Sequence, residues 1–141
     1  MIRHAESQDI PQIVSLLLAA HSNSPYRSIP LQRGKITRQV ALNVAKGLSW
    51  VRVHGDQVKA LCLADAVESI LGLHSLVVHA VYGGGGFWLL KKVVAQAEQL
   101  NAATVGVITS LASDDARVHD MINILGGVRA GSMYEVQIWH S

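Results

Sequence analysis

Four consecutive glycines, Gly83, Gly84, Gly85 and Gly86, stand between an apolar, strand-like run that ends at Tyr82 and a helix-like segment. Glycines carry no side chains, so the backbone N–H groups of such a turn are open to a ligand. A helix that begins there adds the positive end of its dipole, and this combination favours a phosphate group. A flexible turn without a ligand would use the same residues, so the glycines alone leave both interpretations open.

The residues after the glycines have the periodicity of an amphipathic helix. Apolar side chains recur at helical spacing, with lysine, glutamine and glutamate mostly between them. The apolar set is Leu89, Leu90, Val93, Val94, Ala97 and Leu100. The glycines are therefore predicted to lie at a strand-to-helix junction, which favours the ligand-binding interpretation.

The composition limits the classes of protein that could contain this junction. The chain has 141 residues, of which 50% are hydrophobic, and this predicts a single domain over residues 1–141 with a core that needs neither disulfides nor metals. Only 16% of the residues are charged and the formal net charge is +2, which argues against a nucleic-acid-binding surface.

The compartment is predicted from the cysteine content and from the hydropathy pattern. Cys62 is the only cysteine and lies in an apolar run, so we expect a buried thiol in a reducing compartment. No apolar segment approaches the roughly 20 residues of a membrane-spanning helix, and the first residues lack the layout of a signal peptide. The expectation is a soluble, cytoplasmic protein without a membrane partner.

The order of the predicted elements is β-α-α-β-β-β-α-β-α-β. Strands are predicted at 2–5, 48–54, 57–67, 73–82, 104–110 and 132–139, and helices from about residue 9, across 36–47, after residue 86 and over 114–125. No repeat or long linker divides this pattern. The predicted fold class is α/β, with one mixed, mostly antiparallel central sheet flanked by helices.

Other chemistries fit the sequence less well. The seven histidines have no paired ligand spacing, so no metal site is predicted. The glycine run lacks the Lys-Ser/Thr of a phosphate-binding loop of nucleotide hydrolases, and it is not followed by the acid of a dinucleotide-binding fold. Asp114 and Asp115 form an adjacent carboxylate pair, but they stand where a helix needs acidic caps.

Three segments of the chain resemble the GCN5-related N-acetyltransferases (GNAT family), which use acetyl-CoA to acylate an amine. IRHAESQDIPQIVSLL is similar to the first strand and helix of that family, and INILGGVRAGSMYEVQIW to its last helix and strand. VVHAVYGGGGFWLLKKVVAQAEQLNAATVGVITS is similar to its cofactor-binding motif and following strand. The segment SPYRSIPLQRGKI looks most like short acetyltransferase-like proteins encoded by phages and prophages.

The resemblance implies acetyl-CoA as co-substrate and an amine of a peptide, protein or small molecule as acceptor. The family motif is Arg or Gln, two residues, Gly, one residue, then Gly or Ala, and its amides bind the pyrophosphate of CoA. Counting back from the helix puts Gly84 and Gly86 at the motif glycines and Val81 at the Arg/Gln position. Counting forward from the strand puts Gly83 at the Arg/Gln position and Trp88 where a small residue is expected.

The strand before the glycines would then run beside the pantetheine arm, with Val77 and Val78 as its contacts and His79 after them. His79 is the candidate base for the amine, since a histidine can accept a proton near neutral pH. His74 and Glu68 lie at the preceding bend. On a regular strand His74 and His79 face opposite sides, so at most one belongs to the site.

The resemblance also implies an acid that reprotonates the CoA thiolate, which in many members is a tyrosine of the last helix. The matching position is Ile122, which cannot donate a proton. Tyr134, on the predicted terminal strand, is the nearest substitute in sequence. A strand tyrosine that only packs would look the same.

Two functions therefore remain as hypotheses. The first is an acetyl-CoA-dependent N-acetyltransferase whose amine binds between loop 21–34, the second helix and the strand ends. The alternative is a non-catalytic protein of the same fold, such as a phage-encoded binding or virion component, which would place it in the virion. The apolar composition and the tryptophans Trp50, Trp88 and Trp139 predict a homodimer or attachment to a larger assembly.

Overall fold

The computed structural model describes residues 1–24, 26–107, 120 and 122–127. The elements are β1 (Ile2–His4), a 3-10 turn (Ser7–Asp9), α1 (Ile10–Ser22), α2 (Arg33–Ala45), β2 (Trp50–His54), β3 (Gln57–Glu68), β4 (His74–Gly83), α3 (Gly86–Gln99) and β5 (Thr104–Val107). They follow the predicted order. Residues 120 and 122–124 are helical, as expected within 114–125, whereas Asp114, Asp115 and the predicted strand 132–139 lie outside the described residues.

The five strands form one sheet in the order β1-β2-β3-β4-β5. Neighbouring strands from β1 to β4 are antiparallel, and β5 is parallel to β4. A parallel neighbour requires a crossover connection, and α3 supplies it. The predicted fold class, a mixed and mostly antiparallel sheet flanked by helices, is confirmed.

The turn between β2 and β3 shows why the antiparallel order follows from local sequence. His54 pairs with Gln57, so only Gly55 and Asp56 connect the strands. Gly55 has φ +61°, a left-handed conformation that two-residue hairpin turns require and that glycine adopts without strain.

The core lies in two layers, one on each face of the sheet. On β3, Leu61 and Leu63 are buried against α1 and α2, while Cys62 and Ala64 are buried against α3. This alternation follows from the two-residue period of a strand. Cys62 is fully buried, which confirms the prediction of a buried cysteine, and this burial raises the pKa of its thiol to about 12.

Helix α3 crosses one face of the sheet and brings the glycines to the end of β4. Its apolar stripe packs on the core through Leu89, Leu90, Val93 and Ala97. The helix ends where Asn101 takes φ +55° and the N–H of Ala102 donates to the carbonyl of Ala97 at 2.9 Å. This closing bond is typical of a helix that ends in a left-handed residue.

Asp9 has a different role from the one that its position before α1 suggests. Its side chain makes no capping bond to α1. It accepts two hydrogen bonds from Arg3, at 2.6 and 2.9 Å, and one from the N–H of Glu6 at 2.8 Å. Asp9 is only 3% exposed while the Arg3 side chain is 25% exposed, so a partly buried ion pair joins β1 to the start of α1.

This ion pair makes the free energy of unfolding depend on pH. The hydrogen bond from Arg3 lowers the pKa of Asp9, burial opposes it, and the N–H of Glu6 and the charge of Arg3 add to the lowering. The unfolded chain, with an ordinary pKa of 3.8, therefore takes up the proton first. The stabilisation is present above that value and is lost as pH falls through the lower pKa of the folded chain.

We expect Asp9→Asn to reduce the free energy of unfolding at pH 7 by roughly 1–3 kcal/mol, the cost of removing one partner of a partly buried, charged hydrogen bond. The difference from wild type should narrow as the pH approaches 2. Urea unfolding across this pH range measures it, with Asp56→Asn in the exposed β2–β3 turn as control. A constant difference between Asp9→Asn and wild type at every pH would contradict the assignment.

Candidate functional site

The glycines form the predicted strand-to-helix junction. Gly83 is the last residue of β4, Gly84 and Gly85 form the turn, and Gly86 is the first residue of α3. Gly85 is the N-cap of the helix with φ +89°. Its N–H has no hydrogen-bond partner among the residues that the structure describes. This free amide stands at the positive end of α3.

The glycines differ in whether their backbone conformation and their neighbours allow a side chain. Gly83 has φ +96°, and a Cβ there would overlap the carbonyl of Lys59 and the Cα of Ala60 on β3. Gly84 has no positive φ, and a Cβ there would first meet the end of the Arg52 side chain, at 3.4 Å. Gly83 and Gly85 are therefore conformational requirements of the turn, whereas Gly84 is not.

Arg52 of β2 lies against this turn, and sequence reasoning missed it. Its Nε donates a hydrogen bond of 2.7 Å to the carbonyl of Gly84. Thirty-two residues separate the two in sequence, and only the pairing register of three strands brings them together. No local motif could have indicated the contact.

The side chains of the valines predicted to contact a cofactor lie mostly in the core, so these residues present mainly backbone atoms to a ligand. Val78 is fully buried and Val81 is 8% exposed, and both pack in the core layer beneath α3. Val77 is half-buried and pairs with Asp65 on one side and with Gly106 on the other. When the motif is counted back from the helix, Val81 stands at its Arg/Gln position. In that register, the position is therefore occupied by a core side chain.

His79 is an exposed residue within the central strand β4, and a β-bulge explains this. Ala64 pairs with Val78 while Leu63 pairs with Ala80, so His79 is the extra residue without a partner on β3. The bulge also moves β4 from one alternation to the other, since Val78 packs towards α3 and Ala80 towards α1 and α2. Bulges of this kind redirect side chains and interrupt pairing.

Asp65 provides a charged neighbour for His79. Its carboxylate accepts hydrogen bonds from Nζ of Lys46, just after α2, at 2.8 and 2.9 Å. The pKa of Asp65 is lowered chiefly by this bond, against the effect of burial. The N–H of Ala66 and the charges of Lys46 and His79 lower it further. His79 therefore lies within electrostatic reach of a carboxylate that is ionised at neutral pH.

The remaining predicted residues lie apart from this group. His74 pairs with Glu68 at the far end of the β3–β4 hairpin, five residues and roughly 16 Å of strand from His79. Ile122 is half-buried and packs against the core layer beneath α3, as a hydrophobic residue would. Tyr134 lies outside the described residues.

Two of the three tryptophans can be placed. Trp50 stacks on His4 with ring centroids 3.8 Å apart, and its indole N–H donates to Gln96 at 3.0 Å. Trp88, in the first turn of α3, is 56% exposed, with Nζ of Lys91 5.2 Å from its ring centre. Trp139 lies outside the described residues, and association through the tryptophans stays a prediction.

Residues 1–24, 26–107, 120 and 122–127 contain no group of three or more His, Cys, Asp or Glu side chains that could hold a metal ion. They also contain no helix with the length and apolar character needed to cross a membrane.

Comparison with known proteins identifies the fold. No family model matches the sequence, and no curated protein matches it. Among solved structures, a predicted acetyltransferase from Clostridium acetobutylicum, determined with acetyl-CoA, is 15% identical with a TM-score of 0.74, covering 98% of this chain and 96% of that one. A possible acetyltransferase from Clostridium difficile is 16% identical with a TM-score of 0.73, covering 99% and 98%.

A third structure has a different description. A transcriptional regulator from Bacillus halodurans is 14% identical with a TM-score of 0.71, covering 98% of this chain and 99% of that one. The chain therefore has the GNAT-like α/β fold of these structures. One fold can carry several functions, so the activity of this chain depends on the residues of its site.

Proposed function

We propose that this protein is an acetyl-CoA-dependent N-acetyltransferase that acts on an amine. The observation that carries the proposal is the glycine turn, where a free Gly85 N–H stands at the start of α3. The protein from Clostridium acetobutylicum that shares this fold was determined with acetyl-CoA. The turn is open to solvent at Gly83 and Gly84, so a phosphate group can approach its backbone.

In this proposal, the turn formed by Gly83, Gly84, Gly85 and Gly86 binds the pyrophosphate, and the backbone of Val77, Val78 and Val81 runs beside the pantetheine arm. Acetyl-CoA supplies an acetyl group activated as a thioester. The binding residues hold it in a fixed position, which removes much of the entropic cost of bringing two reactants together.

The acceptor amine is proposed to approach the exposed side chain of His79. His79 accepts a proton from the amine, which frees the nitrogen lone pair to form the bond to the acetyl carbon as the carbon–sulfur bond breaks. The ionised carboxylate of Asp65 lies within electrostatic reach of this side chain. The departing sulfur also needs a proton, and Tyr134 is the proposed donor.

The alternative is a non-catalytic protein of the same fold, as in a phage-encoded binding or virion component. Two residues favour this alternative. Val81 stands at the Arg/Gln position of the family motif and Ile122 at the position of the tyrosine, and neither can perform that role. The open glycine turn and the exposed histidine in the bulge favour the enzyme.

Titration of acetyl-CoA into the purified protein by calorimetry tests the cofactor, followed by an assay of CoA thiol release with a panel of amines and peptides. We expect saturable binding and a rise in melting temperature, since a ligand that binds only the folded state stabilises it by about 2.7 kcal/mol at 100 times Kd. Gly84→Val should weaken binding in a folded protein, because it adds a branched side chain to the exposed turn.

The outcomes separate the two functions. Absence of binding at millimolar acetyl-CoA, or unchanged affinity in folded Gly84→Val, would remove the proposed cofactor site. Binding of acetyl-CoA without release of thiol for any amine in the panel would support the non-catalytic alternative.

A further inference from the structure

Arg52 occupies a position from which it can control the shape of the glycine turn. In the sheet its Cα pairs with Ala60 on β3, and Ala60 pairs with Gly83 on β4. Residues in such a row share a face of the sheet, here the face that carries α3. Ala60 and Gly83 are small, so they leave space for the arginine to cross β3, two strand spacings of roughly 4.8 Å each, and reach the turn.

The contact between arginine and turn is close along the side chain. Besides the hydrogen bond to the carbonyl of Gly84, a Cβ on Gly85 would lie 3.0 Å from both Cδ and Nε of Arg52. A side chain at Gly85 would therefore displace the arginine. Glycine at position 85 therefore allows both the close approach of Arg52 and the positive φ of the turn.

The bond to Gly84 has a consequence for the next amide. In a trans peptide the C=O and the following N–H point in opposite directions. With the carbonyl of Gly84 held towards Arg52, the N–H of Gly85 points away from the guanidinium, and this N–H has no partner among the described residues. Without the arginine, this peptide could rotate and present its carbonyl to the anion instead.

The positive charge of Arg52 also favours an anion at the glycine turn. The ion pairs within the described part of the chain join Arg3 to Glu6 and Asp9, and Lys46 to Asp65, and none of them includes Arg52. Its positive charge therefore adds to that of the α3 N-terminus.

We propose that Arg52 is a positioning residue that holds the glycine turn in its anion-binding conformation, in a chain whose motif offers Val81 where an Arg or Gln is usual. The inference rests on the proposed function, because the anion is taken to be the pyrophosphate of acetyl-CoA. Arg52 lies on β2, a different strand from the one that leads into the motif.

The test compares Arg52→Gln and Arg52→Lys with wild type in two measurements. The first is the Kd of acetyl-CoA by calorimetry. The second is the set of glycine amide signals in nitrogen-15 NMR spectra of the ligand-free protein, which a merely structural role would not change selectively. Lys59→Gln is the matched control, since it removes a positive charge from the adjacent strand β3, where Nζ contacts Gln57.

We expect Arg52→Gln to raise the Kd roughly 10- to 100-fold, the range for a lost charge-assisted hydrogen bond, and to shift or broaden the signals of Gly84, Gly85 and Gly86. Arg52→Lys should restore part of the affinity, and Lys59→Gln should stay within about threefold of wild type.

Equal Kd values for Arg52→Gln and Lys59→Gln, or a lost affinity with unchanged glycine signals, would overturn the role of Arg52 and leave the proposed function standing. Failure of the wild-type protein to bind acetyl-CoA would overturn the proposed function and this inference together.

Discussion

Replacement of His79 by glutamine is expected to reduce acetyl transfer by roughly 10²–10⁴-fold, the usual range for a lost general base, while acetyl-CoA still binds. Glutamine keeps a polar side chain of similar size but accepts no proton at neutral pH. The bulge at His79 is formed by the backbone pairing of β3 and β4, so the exchange should leave the fold intact. The measurement is release of CoA thiol with the best amine of the panel.

His74→Gln is the matched control for this prediction. It changes the same residue type on the same strand, at an exposed position that pairs with Glu68 far from the bulge. Its activity should stay within about twofold of wild type, as for most surface substitutions. Robust turnover in His79→Gln would keep the enzyme and reject His79 as its base.

Replacement of Gly83 by alanine is expected to cost about 2–4 kcal/mol of the free energy of unfolding. Roughly 1–3 kcal/mol comes from holding a non-glycine residue at φ +96°, and a further contribution comes from overpacking. The added Cβ would overlap the carbonyl of Lys59 and lie 2.8 Å from the Cα of Ala60. Both are backbone atoms of a central strand, so neither can move aside easily.

Gly84→Ala provides the internal comparison one residue away. Its backbone has no positive φ, and the nearest atom to the new Cβ is Nη2 of Arg52 at 3.4 Å, the end of a flexible side chain. Its stability should remain within about 1 kcal/mol of wild type. Urea unfolding of both variants measures the difference, and equal midpoints for Gly83→Ala and Gly84→Ala would contradict the described turn.

Within the described residues, the elements, their order and the fold class could be predicted from the amino-acid sequence. Each of these elements is specified within a short stretch of the chain. Helix α3 has an apolar stripe of period 3.6, the β2–β3 turn has a glycine with φ +61°, and the glycine junction has four residues without side chains. Such signals are local because they depend on backbone conformations and on side chains a few positions apart.

The environment of the candidate site depends on contacts between residues that are distant in sequence. Arg52 reaches Gly84 only because three strands pair in one register, and Asp65 lies near His79 only because β3 and β4 form a hairpin with a bulge. A shift of one residue in that register would turn these side chains to the opposite face of the sheet. Register depends on how both core layers pack at once, so it is a property of the whole folded sheet that no short segment of the sequence specifies.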